Sequence, residues 1–396
     1  MITVEQAQAL CLALVKTGKT ETIALADAHG RTLADPLRAK RDQPPFPASA
    51  MDGYAIRSSD AKIGATFTVI AESAAGHGWD GTVKAGQAVR IFTGAPVPNG
   101  ADQVVIQENV TRVDSVITLD NDAMNNINIR RQGIDFKKDF IFKSPRKLTP
   151  SDLALIAAMN HATVRVIRRP KVALISTGDE LLMPGGDPAP DQIIASNVFA
   201  LKAMLMDSGA FPNVMPIAPD TPNGLNNVLQ KAQDWGADII VTIGGASVGD
   251  HDLVAPALER FGVNRSFHKI AMRPGKPLMA GSKGIIAFLG LPGNPVSAVV
   301  CGHLFLLPMV RRALGLSDVL PRGITARLEA PLPAGGPRAH YMRAHFTENE
   351  SGRTVNAFVK QDSSMLTVLV EANCLLLRPI DDTPKALGDL TTIYPI

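Results

Sequence analysis

The sequence predicts a multidomain α/β plus β protein, with a doubly wound α/β domain flanked by β-rich units. Three observations carry this. The chain has 396 residues, too many for one ordinary domain and enough for roughly two to four. From Lys171 onward, apolar strand-like segments alternate with helical ones, as in a mainly parallel sheet covered on both faces. Before Phe142 and after Gly315 the segments are short, β-like and separated by turn residues.

Taken in order, residues 3–16 place Val4, Ala7, Leu10, Cys11 and Leu14 at helical spacing, with Thr3 as cap and Gln6 three residues on. Residues 21–40 read as a strand and turn entering a connector, and the prolines of residues 43–49 exclude helix there. ATFTVIAES (65–73), QAVRIFTG (87–94), DQVVIQENV (102–110) and SVITLD (115–120) read as strands of a small β-rich domain. Thr149 suits a helix cap with Pro150 in the first turn, opening SDLALIAAMN. The α/β series then runs as strand KVALIST, helix NVFALKAMLMDSG, strand NVMPI, helix GLNNVLQKAQDW, strand DIIVTIGG and helix DLVAPALERFG. Strands KIAMR and GIIAFLG and a long helix, PVSAVVCGHLFLLPMVRRAL, complete it. Beyond Gly315 the helices stop, and ITARLEAPLP, AHYMRAHF, TVNAFV and ANCLLLRPI predict a small barrel or sandwich. The boundaries predicted are residues 1–42 with 142–170 (helical/linker), 43–141 (β-rich), 171–318 (α/β) and 319–396 (C-terminal β-barrel).

Bulk properties exclude several classes. Formal net charge is +3 and no Lys/Arg-dense arm occurs, so nucleic acid is not an expected partner. Cys11, Cys301 and Cys374 are too far apart for a metal or disulfide pattern. The N-terminus lacks a basic start, and no apolar run reaches about 18 residues, so neither a signal peptide nor a membrane span is expected. A cytoplasmic protein is the expectation.

Chemistry gathers at strand ends, where ligands of open α/β sheets bind. IIVTIGGASVGDHD (239–252) ends a buried strand in Gly244 and Gly245, then Ser247, Asp250 and Asp252; glycine turns suit oxyanions and carboxylates suit a divalent cation. LISTGDEL (174–181) repeats that logic with Asp179 and Glu180. MRPGKP (272–277) brackets a turn with the cations Arg273 and Lys276. FLGLPGNPVSA (288–298) carries Pro292, Asn294 as a cap and Pro295 opening a helix, whose dipole favours anions. Together these predict a phosphorylated ligand with Mg²⁺ rather than zinc. His251, His268 and His303 are not spaced as a metal set, and His303 reads as a core residue. A second group, PPFPASAMDGYAIR (44–57) with Asp52, IFTGAPVPNGAD (91–102) with Thr93 and RRQGIDF (130–136) with Asp135, is not assignable to that site from the residues alone.

In this order, PPF…SAMDGYA, TGAP.P.GAD, STGDEL, GG.SVGD.D, PGKP and LPGNPVS closely resemble the molybdopterin molybdenumtransferase family, the MoeA type also seen as the gephyrin E domain, over about residues 5 to 396. The resemblance implies Mg²⁺-dependent insertion of molybdate into adenylated molybdopterin with release of AMP. It implies a four-domain fold with a molybdopterin-binding α/β domain. It also implies a homodimer whose cleft lies between the α/β domain of one subunit and the β-rich domain of the other. The molybdopterin adenylyltransferase and molybdoenzyme chaperones are implied partners. Functional positions carried over are Asp52, Asp135, Glu180, Asp220 and Asp252, together with Thr93, Ser247, Lys276, Pro292, Pro295 and, less directly, Arg343. Glu180, Asp220 and Asp252 are assigned to Mg²⁺ or its waters. Gly244, Gly245, Ser247 and the helix after Asn294 are assigned to phosphates, and Arg273 and Lys276 to the pterin phosphate or molybdate. The usual F-D-N-S-A-M-D-G-Y reads Phe46-Pro47-Ala48-Ser49 before Met51-Asp52, and the usual G-E-D reads Gly133-Ile134-Asp135. The usual G-G-V-S-V-G has Ala246, and Arg273 replaces a lysine. These departures leave room for a divergent scaffold that binds partners, and a pterin or nucleotide pyrophosphatase is the third reading.

Overall fold

Local chemistry sets the helix starts. Thr3 and Gln6 form a capping box on Val4–Ala13, and Thr149 with Asp152 forms another on Pro150–Ala158. The computed structural model describes residues 1–120, 126–245, 254–350 and 352–396. The first helix was grouped with residues 142–170 from sequence, but it packs elsewhere. Its Val4, Ala7 and Cys11 stripe joins Val172, Leu289 and Val310 in one buried cluster, and Gln8 Nε2 donates to the Leu304 carbonyl at 3.0 Å. The stripe is apolar enough to cover the sheet side of the α/β unit, and burial there decides its address.

A four-stranded sheet joins Thr20–Ala24, Thr163–Ile167, Thr32–Leu33 and Arg146–Lys147. The chain leaves this sheet before residue 43 and returns after residue 141, so the β-rich segment is an insertion. That insertion holds a six-stranded sheet in the order Gln103–Ile106, Gly53–Ile56, Gln87–Ile91, Thr66–Ser73, Val116–Leu119, Val110–Val113.

The α/β sheet has the order Phe211–Val214, Lys171–Ser176, Ile239–Ile243, Ile286–Leu291, Met279–Lys283, Asn264–His268. Met279–Lys283 runs antiparallel to both neighbours and was not foreseen. Alternate residues of the central strands enter two cores: Val172 and Leu174 face one, Ala173 and Ile175 the other. Burial on both faces explains why these strands read as unbroken apolar runs. The expected strand KIAMR is corrected: the sheet strand is Asn264–His268, while Met272–Arg273 leaves the sheet and pairs with Ala339 and His340. Its apolar character is used at the junction between two domains, where Ile270 and Met272 are buried. Pro295–Ala313 is a helix of membrane-crossing length and hydropathy, but 83% of the apolar window is buried inside the protein. A π turn at Gly302–Leu306 interrupts it.

After Gly315, strands Ile324–Leu328, Ala339–Asn349, Gly352–Ala357, Cys374–Arg378 and Leu390–Pro395 close a five-stranded barrel. Closure removes exposed edges. The last strand was missed from sequence, and a short helix, Leu366–Glu371, corrects the expectation that helices end before this region.

Candidate active site

Three parallel strands end side by side at Ser176, Ile243 and Leu291, and their loops open a cleft of about 620 Å³. That volume suits a small-molecule ligand. The strand ends are laced together: Thr177 N–H donates to Ile243 O and Gly244 N–H to Leu291 O, both at 3.1 Å. Gly244 and Gly245 have φ of +94° and +63°. A Cβ at Gly244 would stand 2.9 Å from Thr177 O, and one at Gly245 would strike Val254. The glycines are therefore required by close approach and left-handed backbone. One expectation changes: the Gly244 amide is not available to an oxyanion, because it already serves Leu291. The Gly245 amide has no partner among the described residues. Ser247 and Asp252, with Ala246, Asp250 and His251, lie outside the described residues.

Glu180 lines the cleft mouth, exposed. Asp220 stands just beyond it. The bridge Thr177↔Ala218 places the two loops side by side, and Asp179 Oδ1 accepts the Asp220 N–H at 3.0 Å. Asp179 is thus a loop tie, whereas the Asp220 carboxylate has no partner among the described residues. No group of three His, Cys, Asp or Glu side chains gathers there among the described residues. Of the expected Glu180, Asp220 and Asp252, the first two stand on neighbouring loops and Asp252 lies outside the described residues.

Pro292, Asn294 and Pro295 line the cleft as expected. The helix start is already engaged, however. Asn294 Nδ2 donates to Ser363 Oγ at 3.0 Å instead of capping, and Val296 N–H donates to Ser363 O at 3.1 Å. Pro295 has no N–H, so the first amide of this helix is taken by the barrel and not left for phosphate. Asn197 Nδ2 holds Gly293 O at 2.7 Å, fixing the same turn.

Arg343 explains why the barrel reaches the cleft. It is 1% exposed. Its amide and Nε donate to Gln361 Oε1 at 3.0 and 3.3 Å, and its Nη1 to Asp362 O at 2.8 Å. The loop it organises carries Ser363 and Ser364 to the cleft wall. A charge at an inward position of the alternating strand AHYMRAHF was the sequence signal for it. Arg273 pairs with His340 of the barrel and Lys276 lies in the turn that follows; neither lines the cleft, and neither forms an ion pair among the described residues. Burial, then Arg273, Arg343, Arg338 and Arg378, push His340 down to about 4, so this flank presents cations beside a neutral imidazole.

Asp52, Thr93 and Asp135 do not line this cleft within one chain. Thr93 donates to Asp52 Oδ1 from its N–H at 2.7 Å and its hydroxyl at 2.8 Å. These two bonds, and then Arg90, hold the Asp52 carboxyl below the usual range. The loop before Asp52 is zipped to the Asp135 loop by Ser49↔Ile129 and Gln43↔Phe136, with Gly133 N–H on Pro44 O at 2.9 Å. Asp135 is exposed on that loop, next to an Ile134 that is 64% exposed. Arg90 was not singled out from sequence. Its signal is a cation two residues before Phe92 in a strand, opposite Tyr54.

Comparison with known proteins covers the whole chain. The profile of the MoeA N-terminal region (domain I and II) matches residues 2–160, that of a probable molybdopterin binding domain residues 173–312, and that of the MoeA C-terminal region (domain IV) residues 325–396. A molybdopterin molybdenumtransferase of Haemophilus influenzae is 34% identical over 400 residues, covering 100% of this chain and 98% of that protein. Two solved structures of molybdopterin biosynthesis MoeA proteins from Pyrococcus horikoshii give TM-scores of 0.86 and 0.82 at 28% and 26% identity. Each covers 100% of this chain, and the coverage of those chains is 99% and 100%.

Proposed function

Because the chain belongs to the MoeA family, we propose that it inserts molybdate into adenylated molybdopterin with Mg²⁺-dependent release of AMP. We place it in the cytoplasm, as a homodimer whose active site spans two subunits and whose substrate arrives from the molybdopterin adenylyltransferase. The observation that carries the reading is the division of the carried-over acids. Glu180 lines a cleft of about 620 Å³ with Asp220 on the neighbouring loop, while Asp52 with Thr93, and Asp135 on its own loop, lie outside it.

The donor chemistry fits Mg²⁺. Glu180 and Asp220 offer hard carboxylate oxygens without other duties, and Mg²⁺ is commonly held by one or two carboxylates plus substrate phosphates. When bound, it supplies charge neutralisation on the phosphoanhydride as AMP leaves. The other work belongs to the chain. Gly245, Pro292 and the Asn294–Ser363 tie shape a wall against which the adenylate is oriented. Arg273 and Lys276 hold an oxyanion, pterin phosphate or molybdate, by charge. Asp52 from the second subunit brings an ionised carboxylate whose Oδ1 is saturated by Thr93, leaving Oδ2 to meet the substrate or metal.

The retained lock on Asp52 favours catalysis over a scaffold despite the changed Phe46–Ala48 loop and Ile134. The test supplies adenylated molybdopterin, Mg²⁺ and molybdate and follows AMP. Molybdate-stimulated AMP release is expected. AMP release indifferent to molybdate would point to a pyrophosphatase, and none at all would point to the scaffold.

A further inference from the structure

Arg90 does more in this fold than fill a surface. On strand Gln87–Ile91 it stands directly across from Tyr54, and Phe92 follows on the same face two residues later. Its guanidinium lies 5.0 Å from the Tyr54 ring centroid and 4.8 Å from that of Phe92. Two aromatic faces restrict the fork to one orientation. In that orientation Nη1 donates to Gly53 O at 3.2 Å and Nη2 to Gln107 Oε1 at 2.6 Å. Gln107 N–H in turn donates to Asp52 O at 3.1 Å. The carbonyls of Asp52 and Gly53 are therefore both held, and Arg90 closes the ring through Gln107. The backbone has no slack: a Cβ at Gly53 would overlap Val105 O, so the strand can approach only as glycine. Thr93, in the turn just past the end of that strand, clamps the carboxylate itself.

We infer that Arg90 is the positioning residue of the Asp52 half-site: it fixes the Asp52–Gly53 backbone so that the carboxylate, clamped by Thr93, projects Oδ2 in one direction toward the substrate or metal. This rests on the reading of Asp52 as a functional acid. Arg90 acts through Asp52 and not on the substrate. A lysine cannot replace it, because an ammonium lacks the fork that spans Gly53 and Gln107.

The experiment measures molybdate-dependent AMP release by the full-length protein with adenylated molybdopterin and Mg²⁺. Arg90→Gln is expected to lower kcat roughly 10- to 100-fold, the cost of misplacing a reacting group, with KM nearly unchanged because the cleft lies on other loops. Arg90→Lys keeps the charge and the ring contacts, so it tests the geometry even if Arg90→Gln melts at a lower temperature; it is expected to stay impaired. In an Asp52→Asn background, Arg90→Gln is expected to cost less than about twofold more, since coupled residues are non-additive. Full activity in Arg90→Lys, or multiplicative losses in the double variant, overturns the inference and leaves Asp52 in place. Full activity in Asp52→Asn overturns the Asp52 reading and this inference with it.

Discussion

The cleft at the sheet edge and the Asp52 corner are built in opposite ways. The cleft is large, its walls come from loops after three strands and from the barrel, and its acids are unrestrained: Glu180 and Asp220 are exposed and unpartnered among the described residues. At the Asp52 corner a single carboxylate is gripped by Thr93, while its backbone is gripped by Gln107 and Arg90. Loose acids suit a metal that arrives with its phosphates and sets its own octahedral geometry. A locked acid suits charge stabilisation, which is effective only if the group need not reorganise during the reaction. On the proposed function, this difference is a division of labour, with one half recognising the ligand and the other supplying fixed charge.

The most severe test of that division is to disable each half separately. Asp52→Ala and Glu180→Ala are each expected to lower turnover by about 10²- to 10³-fold. Mixing the two variant chains is then expected to restore activity, because one of the two sites in a mixed dimer is intact. Activity that stays lost in purified mixed dimers would break the cross-subunit part of the comparison.

Gly245→Val tests the cleft alone. It forces a β-branched residue into φ +63° against Val254. The expected cost is about 2–3 kcal/mol of stability, read by denaturant titration, with weakened pterin binding and the Asp52 corner untouched. Arg343→Leu removes the guanidinium bonds to Gln361 Oε1, Asp362 O and Lys360 O that tie barrel to cleft, leaving Gln361 Oε1 only the residue-343 N–H and Asp362 O only the Met365 N–H. A KM increase of roughly tenfold, worth about 1.4 kcal/mol of binding, is expected, with a smaller change in kcat. An equal fall in kcat and kcat/KM would instead give Arg343 a role in the reacting state.

The smallest expected effect is in pH dependence. His303 and His340 are both pushed down to about 4, chiefly by burial. Their folded values lie below the unfolded one near 6.5, so between these limits the unfolded chain binds more protons and stability rises with pH. The contribution is complete above about pH 6.5 and is lost as pH falls toward 4. Thermal melts at pH 7 and pH 5 are expected to differ, and His303→Leu is expected to narrow the gap. A gap unchanged by that substitution would remove His303 from the explanation.

Much of the site was legible because strand ends announce themselves. STGDEL, TIGG and LPGNP each place glycine, proline or an acid where an apolar run stops, and a parallel sheet brings such ends to one edge. Hydrogen-bond occupancy was not legible. The Gly244 amide and the Val296 amide look available in the sequence, yet Leu291 and Ser363 have already taken them. Ser363 comes from the C-terminal domain, 69 residues along the chain from Asn294, a pairing no local pattern encodes. Arg90 escaped notice for a related reason: its partners Tyr54, Gly53 and Gln107 become neighbours only when three strands pair.

By itself the sequence determined most element types, the capped helix starts at Thr3 and Thr149, the α/β core and the residues that carry charge, since these follow from periodicity, glycine and proline stereochemistry and burial preference. Only the tertiary structure decided that the first helix covers the α/β sheet, that Met279–Lys283 runs against its neighbours and that five strands close a barrel against the cleft. It alone divided the acids into a loose set and a locked one. The physical reason is that a hydrogen bond or a packed face is a property of a pair, and the second member of each pair is supplied by long-range chain closure rather than by sequence neighbours.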